Sequence, residues 1–458
     1  MNPPSEKRAI LLAASASSFL TPFMSSSVNI ALPRIGADLG MDAVSLGWVA
    51  TAFLLAAAVF LVPFGRLADL RGRRAIFGAG ALVYAGASGI CGLAPSAAWL
   101  IAGRFVQGMG GAMIFGTGMA LLTGAYPPGE RGLALGINSA AVYLGLSLGP
   151  FVGGFMTQHL GWRSLFLAMV ILSLAMSSLA ALVRADEPAA HGETFDAAGA
   201  WLYGAALVAL MLGLGRLPAA SGAAVAAAGA AGIALFVRRC ARVHHPVLNV
   251  RLFLDNAVFA FSNLAALIHY SATFAVTFLL SLYLQKVKGL GPQAAGLVLV
   301  AQPAMMTVFS PLSGRLSDRL EPRYVASTGM GITALSLAAL SRLDADTGLP
   351  VILAELALLG FGFALFSSPN TNAVMSAVEK RALGVASGTL GTMRLVGQLL
   401  SMGLATVVLS LGIGHVPLAQ ARVPDFLTAQ RAALLACAVL CTAGVFASLA
   451  RGDIRRTS

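Results

Sequence analysis

The sequence predicts an all-α integral membrane protein built as two like halves. Three observations carry this. The chain of 458 residues is 58% hydrophobic and only 10% charged, with a mean hydropathy of +0.83, whereas soluble domains run at roughly 25% charged residues. Its apolar residues come in runs of about twenty, the length that spans a bilayer as a helix. A short basic turn, Gly65-Arg66-Leu67-Ala68-Asp69-Leu70-Arg71-Gly72-Arg73-Arg74, returns in weaker form at Gly314-Arg315-Leu316-Ser317-Asp318-Arg319 through Arg323, about 249 positions later. The register holds beyond the turn: Gly47, Gly65, Arg66, Leu67, Asp69 and Arg74 fall on Gly296, Gly314, Arg315, Leu316, Asp318 and Arg323. Weak internal similarity over this length is how two parallel halves of a membrane protein look.

Taken in order, the apolar runs predict helices near 9–33, 44–64, 75–94, 97–122, 132–156, 162–183, 197–216, 219–237, 256–285, 293–313, 323–341, 350–372, 383–412 and 429–449. At 1.5 Å per residue each can cross roughly 30 Å of hydrocarbon, so about fourteen spans are expected. The first follows Lys7 and Arg8 like a signal peptide. Its apolar part from Ala9 to Leu32 exceeds a typical h-region, so a retained helix is expected. The seventh and eighth form a pair, and the eighth is nearly all Ala and Gly. If that pair is peripheral, twelve spans remain and parity is unchanged.

Loop charge sets the orientation. One set of loops holds Lys7, Arg8, the arginines of 66–74, Arg131, Arg184, Arg238, Arg239, Arg242, Arg251, the arginines of 315–323, Lys380, Arg381, Arg451, Arg455 and Arg456. The other holds far fewer: Arg34, Arg163, Arg216, Lys286, Lys288, Arg342, Arg422 and Arg431. By the positive-inside rule the first set, and with it both termini, is cytoplasmic. The same distribution explains the net charge of +12 without nucleic acid, because no basic domain exists. The expected organisation is an N-terminal six-helix bundle (1–184), a linker with two additional spans (185–255) and a C-terminal six-helix bundle (256–458). Four cysteines make no disulfide framework; Cys437 and Cys441 stand one helical turn apart, as ordinary packing allows.

The turn at 65–74 resembles the signature loop between the second and third helices of the major facilitator superfamily. Arg104-Phe105-Val106-Gln107-Gly108-Met109-Gly110-Gly111 in the fourth helix is similar to that family's intramembrane Arg motif, and Gly145-Leu146-Ser147-Leu148-Gly149-Pro150-Phe151-Val152-Gly153-Gly154 in the fifth to its antiporter motif. Val28-Asn29-Ile30-Ala31-Leu32-Pro33 resembles the fourteen-helix drug:proton antiporter branch. That branch often has an acidic residue ahead of the Val-Asn pair. Here Met24 takes that place, so a proton role there does not carry over. The resemblance implies the major-facilitator fold, with two six-helix bundles plus two extra helices, in a multi-pass protein of the bacterial cytoplasmic (inner) membrane. It also implies proton-coupled transport of small molecules by a monomer, with no cofactor.

The residues suggest where such work is done. Asp69 with Arg73 or Arg74 forms either an inner gating latch between bundles or a topogenic charge cluster; the echo at Asp318 favours the latch. Gly145, Gly149 and Gly153 recur every four residues on one face, where small side chains let helices approach closely. Pro150 removes a backbone donor and can bend the helix. The reading of this helix as a pliable element at the bundle interface comes from the resemblance.

Ionisable groups within the spans are few: Arg104, His269, Glu355 and Arg394. A charge facing the bilayer centre costs at least ~2.5–3.5 kcal/mol, so each calls for a cavity or partner. Arg104 either polarises a proton-carrying group or bonds carbonyls of a neighbouring helix. Glu355 is expected as proton or cation site with Arg104 as its electrostatic partner; the alternative is that it reaches the outer interface. His269 is a possible proton carrier or a neutral packing residue. Arg394 either holds a substrate anion or is a fixed countercharge to Glu355. Asp255 is expected to cap the ninth helix. Asn29, Gln107, Asn138, Asn263, Gln302, Asn370, Asn372 and Gln398 are candidate pathway polars. Tyr143, with aromatic and Met neighbours, is a candidate pocket residue. The run Gly360-Phe361-Gly362-Phe363-Ala364 before Pro369 predicts unwinding in the twelfth helix.

The expected function is a proton-coupled exporter of small amphipathic molecules working by alternating access. No G-x-x-x-x-G-K-[ST] loop exists, so ATP is not the energy source. Two intramembrane arginines against one carboxylate make organic anions the rival substrates. A non-transporting sensor or scaffold would need a soluble effector domain, and none is seen. An enzyme is not expected, since the spans lack paired acid/base or metal-ligand spacings.

Overall fold

A computed structural model describes residues 4–126, 128–182, 195–243, 246–379, 383–414, 416–418 and 420–452. Arg184, Lys380, Arg381, Arg455 and Arg456, and the side chain of Asp318, lie outside the described residues. Among the described residues the chain is helical, with one isolated antiparallel bridge between Asp42 and Pro417. The helices are α1 (Pro4–Leu39), α2 (Ala43–Arg71), α3 (Arg73–Gly92), α4 (Ala97–Ala125), α5 (Pro128–His159), α6 (Arg163–Ala181), α7 (Ala197–Leu214), α8 (Ala220–Cys240), α9 (Arg251–Asp255), α10 (Ala257–Lys286), α11 (Pro292–Leu299), α12 (Ala301–Arg319), α13 (Pro322–Leu340), α14 (Leu349–Ser376), α15 (Leu383–Ile413) and α16 (Val423–Leu449). Thirteen spans are long and apolar enough to cross a membrane, with α11 and most of α12 counted as one and both α7 and α8 included. The fourteenth long helix is α13, more polar through Ser327, Thr328, Thr333 and Ser336, and packed between α14 and α16.

Local chemistry sets the helix ends. The side chains of Asp42, Asp196 and Asn256 accept hydrogen bonds from the backbone N–H groups of Ser45, Gly199 and Phe259 at 2.7, 2.9 and 2.9 Å, satisfying donors that a helix start leaves open. The cap of α10 is therefore Asn256, and Asp255, expected in that role, ends the short α9 instead. The basic turn is mostly helix. α2 runs through Arg66 and Asp69 to Arg71, and Gly72 at φ 98° is the whole break before α3, a backbone angle that favours glycine. The tenth predicted helix divides at Val300 into α11 and α12. The twelfth, expected to unwind, is continuous as α14 through Gly360, Gly362 and Pro369.

Helices α1–α6 pack into one bundle and α10–α16 into another. Bilayer lipid offers no hydrophobic drive between helices, so close approach through small residues carries the packing. Gly145, Gly149 and Gly153 do this within the N-terminal bundle. They lie against Phe19, Phe23, Ser26 and Ser27 of α1, and Ser27 Oγ donates to the Gly149 carbonyl at 2.9 Å. The stripe is thus not itself at the bundle interface. The residues of α5 that meet the other bundle are its neighbours, Pro150 against Gly296 and Gly154 against Pro292.

The α7–α8 pair is a hairpin closed by Gly213 on Ala226 and Gly229 on Leu210. It rests on both bundles. Gly204 and Gly215 meet Val59 and Trp48 of α2, while Met211 and Leu214 meet Gly403 of α15. All four cysteines are free and buried.

Candidate functional site

The two bundles meet along a seam that is tight at one end. There the α1 carbonyls of Asn29 and Ile30 accept from Ser281 Oγ at 2.7 Å and from Gln285 Nε2 at 2.9 Å, both on α10. The Gln158 side chain accepts from the Gln293 backbone N–H at 3.2 Å. Two glycines tighten the same end: Gly47 on α2 abuts Thr406 of α15, and Gly296 on α11 abuts the Pro150 carbonyl of α5. These are the two glycines that the internal repeat places in register, each now at a bundle crossing. Loop charge assigns this end to the outside. Toward the opposite end Gly65, Gly314, Gly384 and Gly388 have open space beside them.

Inward of the seal, polar side chains from both bundles converge. Ser147 on α5 and Thr307 on α12 have hydroxyls 3.5 Å apart. Next on the same helices, Ser310 Oγ donates to the Tyr143 hydroxyl at 2.9 Å, with Ser367 of α14 a further hydrogen-bond partner and Tyr270 and Arg394 within electrostatic reach. Arg394 on α15 donates from Nη2 to Thr371 Oγ1 at 2.7 Å and lies 5.6 Å from the Tyr270 ring centre, a cation–π arrangement. Its Nε is buried without a partner. It stands ~17 Å along α15 from the inner end at 1.5 Å per residue. Five helices, α5, α10, α12, α14 and α15, thus supply one cluster of hydroxyls, phenols and a guanidinium.

Of the sequence-predicted site residues, Tyr143 and Arg394 meet here, and Gln398 lies one turn from Arg394, half-buried. Asn29 is at the outer seal through its carbonyl, its side-chain Oδ1 buried without a partner. Gln302 is buried where α12 meets Gly360 of α14. The others lie inside single bundles. Asn138 accepts from Ser18 at 2.9 Å between α5 and α1, and Asn370 donates to the Ser262 carbonyl at 3.1 Å between α14 and α10. Gln107 donates to Ser88 at 2.7 Å and accepts from Arg104 at 2.5 Å. Arg104 is 1% exposed, donates to the Val49 carbonyl at 3.0 Å and stacks 4.4 Å from the Phe53 ring centre.

Arg104 therefore has no contact with Glu355. The two are in different bundles, which corrects their expected pairing. Glu355 lies on the face of α14 that carries Gly362, turned to α13, with Ser336 donating to its backbone carbonyl at 2.8 Å. Its Oε2 is buried without a partner. Arg394 bonds Thr371 and is not its countercharge. His269 is enclosed within the C-terminal bundle by Phe363 and Phe366, ring centres 5.1 and 4.0 Å away, and Cys441 Sγ, 3.8 Å from Nδ1. Arg73 pairs with Asp69 at 2.9 Å and reaches the Ala120 carbonyl at 3.4 Å, while Arg74 donates to the Ala180 and Ala181 carbonyls at 3.0 and 3.1 Å. These bonds tie the basic turn to α4 and α6 of its own bundle.

Sequence reasoning passed over Tyr270, Thr307, Ser310, Ser367 and Thr371. The small hydroxyls gave no signal among many like them. Tyr270 had one, being adjacent to His269 and so about 100° away on the helix.

Comparison with known proteins agrees with this architecture. The model of the Major Facilitator Superfamily matches residues 14–402 and, separately, 262–455. The chain is 27% identical over 397 residues to the riboflavin transporter of Clostridioides difficile, covering 85% of each. It is 31% identical over 415 residues to the tetracenomycin C resistance and export protein of Streptomyces glaucescens, covering 89% of this chain and 76% of that one. Among solved structures, a bacterial homolog of the human lysosomal transporter Spinster shares the fold with a TM-score of 0.72 at 17% identity, over 98% of both chains. Multi-pass helices, fold and relatives are all those of membrane transporters. The chain belongs to the Major Facilitator Superfamily.

Proposed function

We propose that the protein is a proton-coupled exporter of small amphipathic molecules in the bacterial cytoplasmic membrane, a monomer of the fourteen-helix drug:proton antiporter branch working by alternating access. The observation that carries this reading is the cluster at Tyr143, Ser310, Thr371 and Arg394, built by both bundles beneath an outer seal. A bundle-to-bundle site under a one-sided seal is what a rocking carrier needs. Substrate bound there is held by groups that must part company when the bundles reorient. The tetracenomycin C export protein among the relatives supports the direction of transport.

The division into bundles at 184 and 255 is part of this proposal, as is an inner gate formed by Asp69, Arg73 and Arg74 when the outer seal opens. Proton coupling is assigned to Glu355, a carboxylate a few residues inside the outer end of a span. It shares α14 with Ser367 and Thr371, so one rigid helix connects proton and substrate groups. In proteoliposomes, a planar dye should move against its gradient when a pH gradient is imposed and stop when a protonophore collapses it. Glu355→Gln should lose the pH-driven component and keep downhill exchange. Uphill transport that persists without the pH gradient defeats the coupling, and pH-driven transport by Glu355→Gln defeats the assignment to that residue.

A further inference from the structure

The seam carries a fixed positive charge with no negative partner. Among the described residues no carboxylate lies within ion-pair distance of Arg394. Arg394 meets the Thr371 hydroxyl and the Tyr270 ring face, with Tyr143 within electrostatic reach. Its Nε–H is a buried donor with nothing to donate to. A guanidinium presents its N–H groups in a planar fork that suits a carboxylate, and it remains charged at any physiological pH. A half-buried fork with one arm used and another unsatisfied is therefore a donor site for an anionic oxygen.

The surroundings define the rest of the ligand. Tyr270 lies edge-on to Phe363, ring centres 5.4 Å apart and planes at 89°. Tyr143 faces this group from the other bundle and holds its hydroxyl toward Ser310. Aromatic rings beside a guanidinium bind flat π-systems, with the charged end of the ligand at the fork.

We propose that Arg394 is the anion-recognition group of the transport site, and that the preferred substrates are planar aromatic molecules carrying an acidic group, such as a carboxylate or phenolate, seated at Arg394 with the ring system against Tyr270. This rests on the exporter reading above and narrows its substrate class. It separates Arg394 from Arg104, which donates to Val49 and Gln107 within one bundle and has its charge face covered by Phe53.

The test uses two dyes of similar flat shape and opposite charge, fluorescein (anionic) and ethidium (cationic), with binding to the purified full-length protein followed by fluorescence anisotropy at low salt. The wild-type protein should bind fluorescein at least about tenfold more tightly than ethidium. Arg394→Gln should weaken fluorescein at least about tenfold, as loss of a charged hydrogen bond does, and should strengthen ethidium rather than weaken it, since a like charge is removed. Arg394→Lys should recover part of the fluorescein affinity. Thermal unfolding of the purified variant close to that of the wild type shows that it is folded. Ethidium bound as tightly as fluorescein by the wild type, or fluorescein unaffected by Arg394→Gln, overturns the anion assignment and leaves the exporter reading standing. Failure of the wild type to bind either dye overturns both.

Discussion

Arg104 and Val49 are joined by a hydrogen bond from Nε to the backbone carbonyl, 3.0 Å long, that fastens α4 to α2 inside the N-terminal bundle. The same guanidinium supports Gln107, which in turn holds Ser88 of α3, and Ser88 Oγ donates to the Tyr84 carbonyl at 2.7 Å. A charge in the membrane interior is tolerated here because three elements of one bundle surround it, with an aromatic face as the fourth wall. The arrangement is a structural junction. Of the two roles open to Arg104 from the sequence, the bond to a neighbouring helix carbonyl is the one seen, and the group it meets is not a carboxylate.

This leads to a first prediction. Arg104→Ala strands Gln107 Oε1 and opens a void at Phe53, so it should destabilise the folded protein by on the order of 2–4 kcal/mol, given about 1–3 kcal/mol per stranded buried group. Thermal unfolding of purified protein in detergent measures this. The pH dependence of transport, normalised to folded protein, should be unchanged. A shifted pH profile with normal stability would place Arg104 in the coupling machinery instead.

The outer seal makes a second prediction. Gln158 accepts from the Gln293 backbone at the edge of the seam, and His159 lies beside it, Nε2 3.2 Å from the Gln293 side chain. The paired substitution Gln158→Cys and Gln293→Cys, with the four buried native cysteines left in place, should crosslink under mild oxidation. Uphill transport should then fall to background and return on reduction, because alternating access needs this edge to part. Crosslinked protein that still transports would show that the seam does not open there.

Two neighbouring glycines on α5 supply a third. A Cβ at Gly149 would run into Ser26 and the Phe23 carbonyl, both inside the N-terminal bundle; one at Gly154 would run into Pro292 across the seam. Gly149→Val should therefore cost about 1–3 kcal/mol of stability by overpacking. Gly154→Val should spare stability and weaken the outer closure instead. Thermal unfolding separates the first effect. Labelling of Gln158→Cys by a membrane-impermeant maleimide reads the second, and should rise in the Gly154→Val background but not beside Gly149→Val.

How much of this was legible before the structure depends on what a one-dimensional pattern contains. Span number, the paired halves and the special standing of Gly47 and Gly296 come from length and repetition, which the chain carries openly. Azimuth is another matter. Its being the carboxylate inside a span made Glu355 a candidate, but its neighbours around the helix turn it to α13. His269 and Tyr270 are adjacent, and the less conspicuous of the two is the one that meets Arg394. Apolar residues surround a membrane helix on every side, so the amphipathic stripe that reveals the inward face of a soluble helix is missing. The glycine stripe Gly145, Gly149 and Gly153 was visible as a close-packing face, yet nothing in its spacing says whether α1 or the other bundle lies against it.

The fourth prediction concerns pH and the hairpin that rests on both bundles. Asp196 caps α7 and also binds Arg239 near the end of α8, Oδ1 to Nη2 2.7 Å. Burial by itself would raise the Asp196 carboxyl, but the hydrogen bonds from Arg239 and the Gly199 N–H outweigh it and hold the group below the ordinary aspartate range. A carboxyl depressed in the folded state contributes stability that is complete above its unfolded value, about 3.9, and is lost as pH falls from there through the folded value. The hairpin should thus be insensitive to pH between 5 and 8, a window of roughly neutral conditions in which this carboxyl stays ionised, and should loosen only in stronger acid. Asp196→Asn should remove that acid sensitivity and, because Asn caps a helix as well as Asp does, should keep the cap and loosen the hairpin at neutral pH only through loss of the ion pair with Arg239. Hydrogen exchange at α7 and α8, followed from neutral pH into acid, measures both. Acid-induced opening that persists in Asp196→Asn would assign the transition to another group.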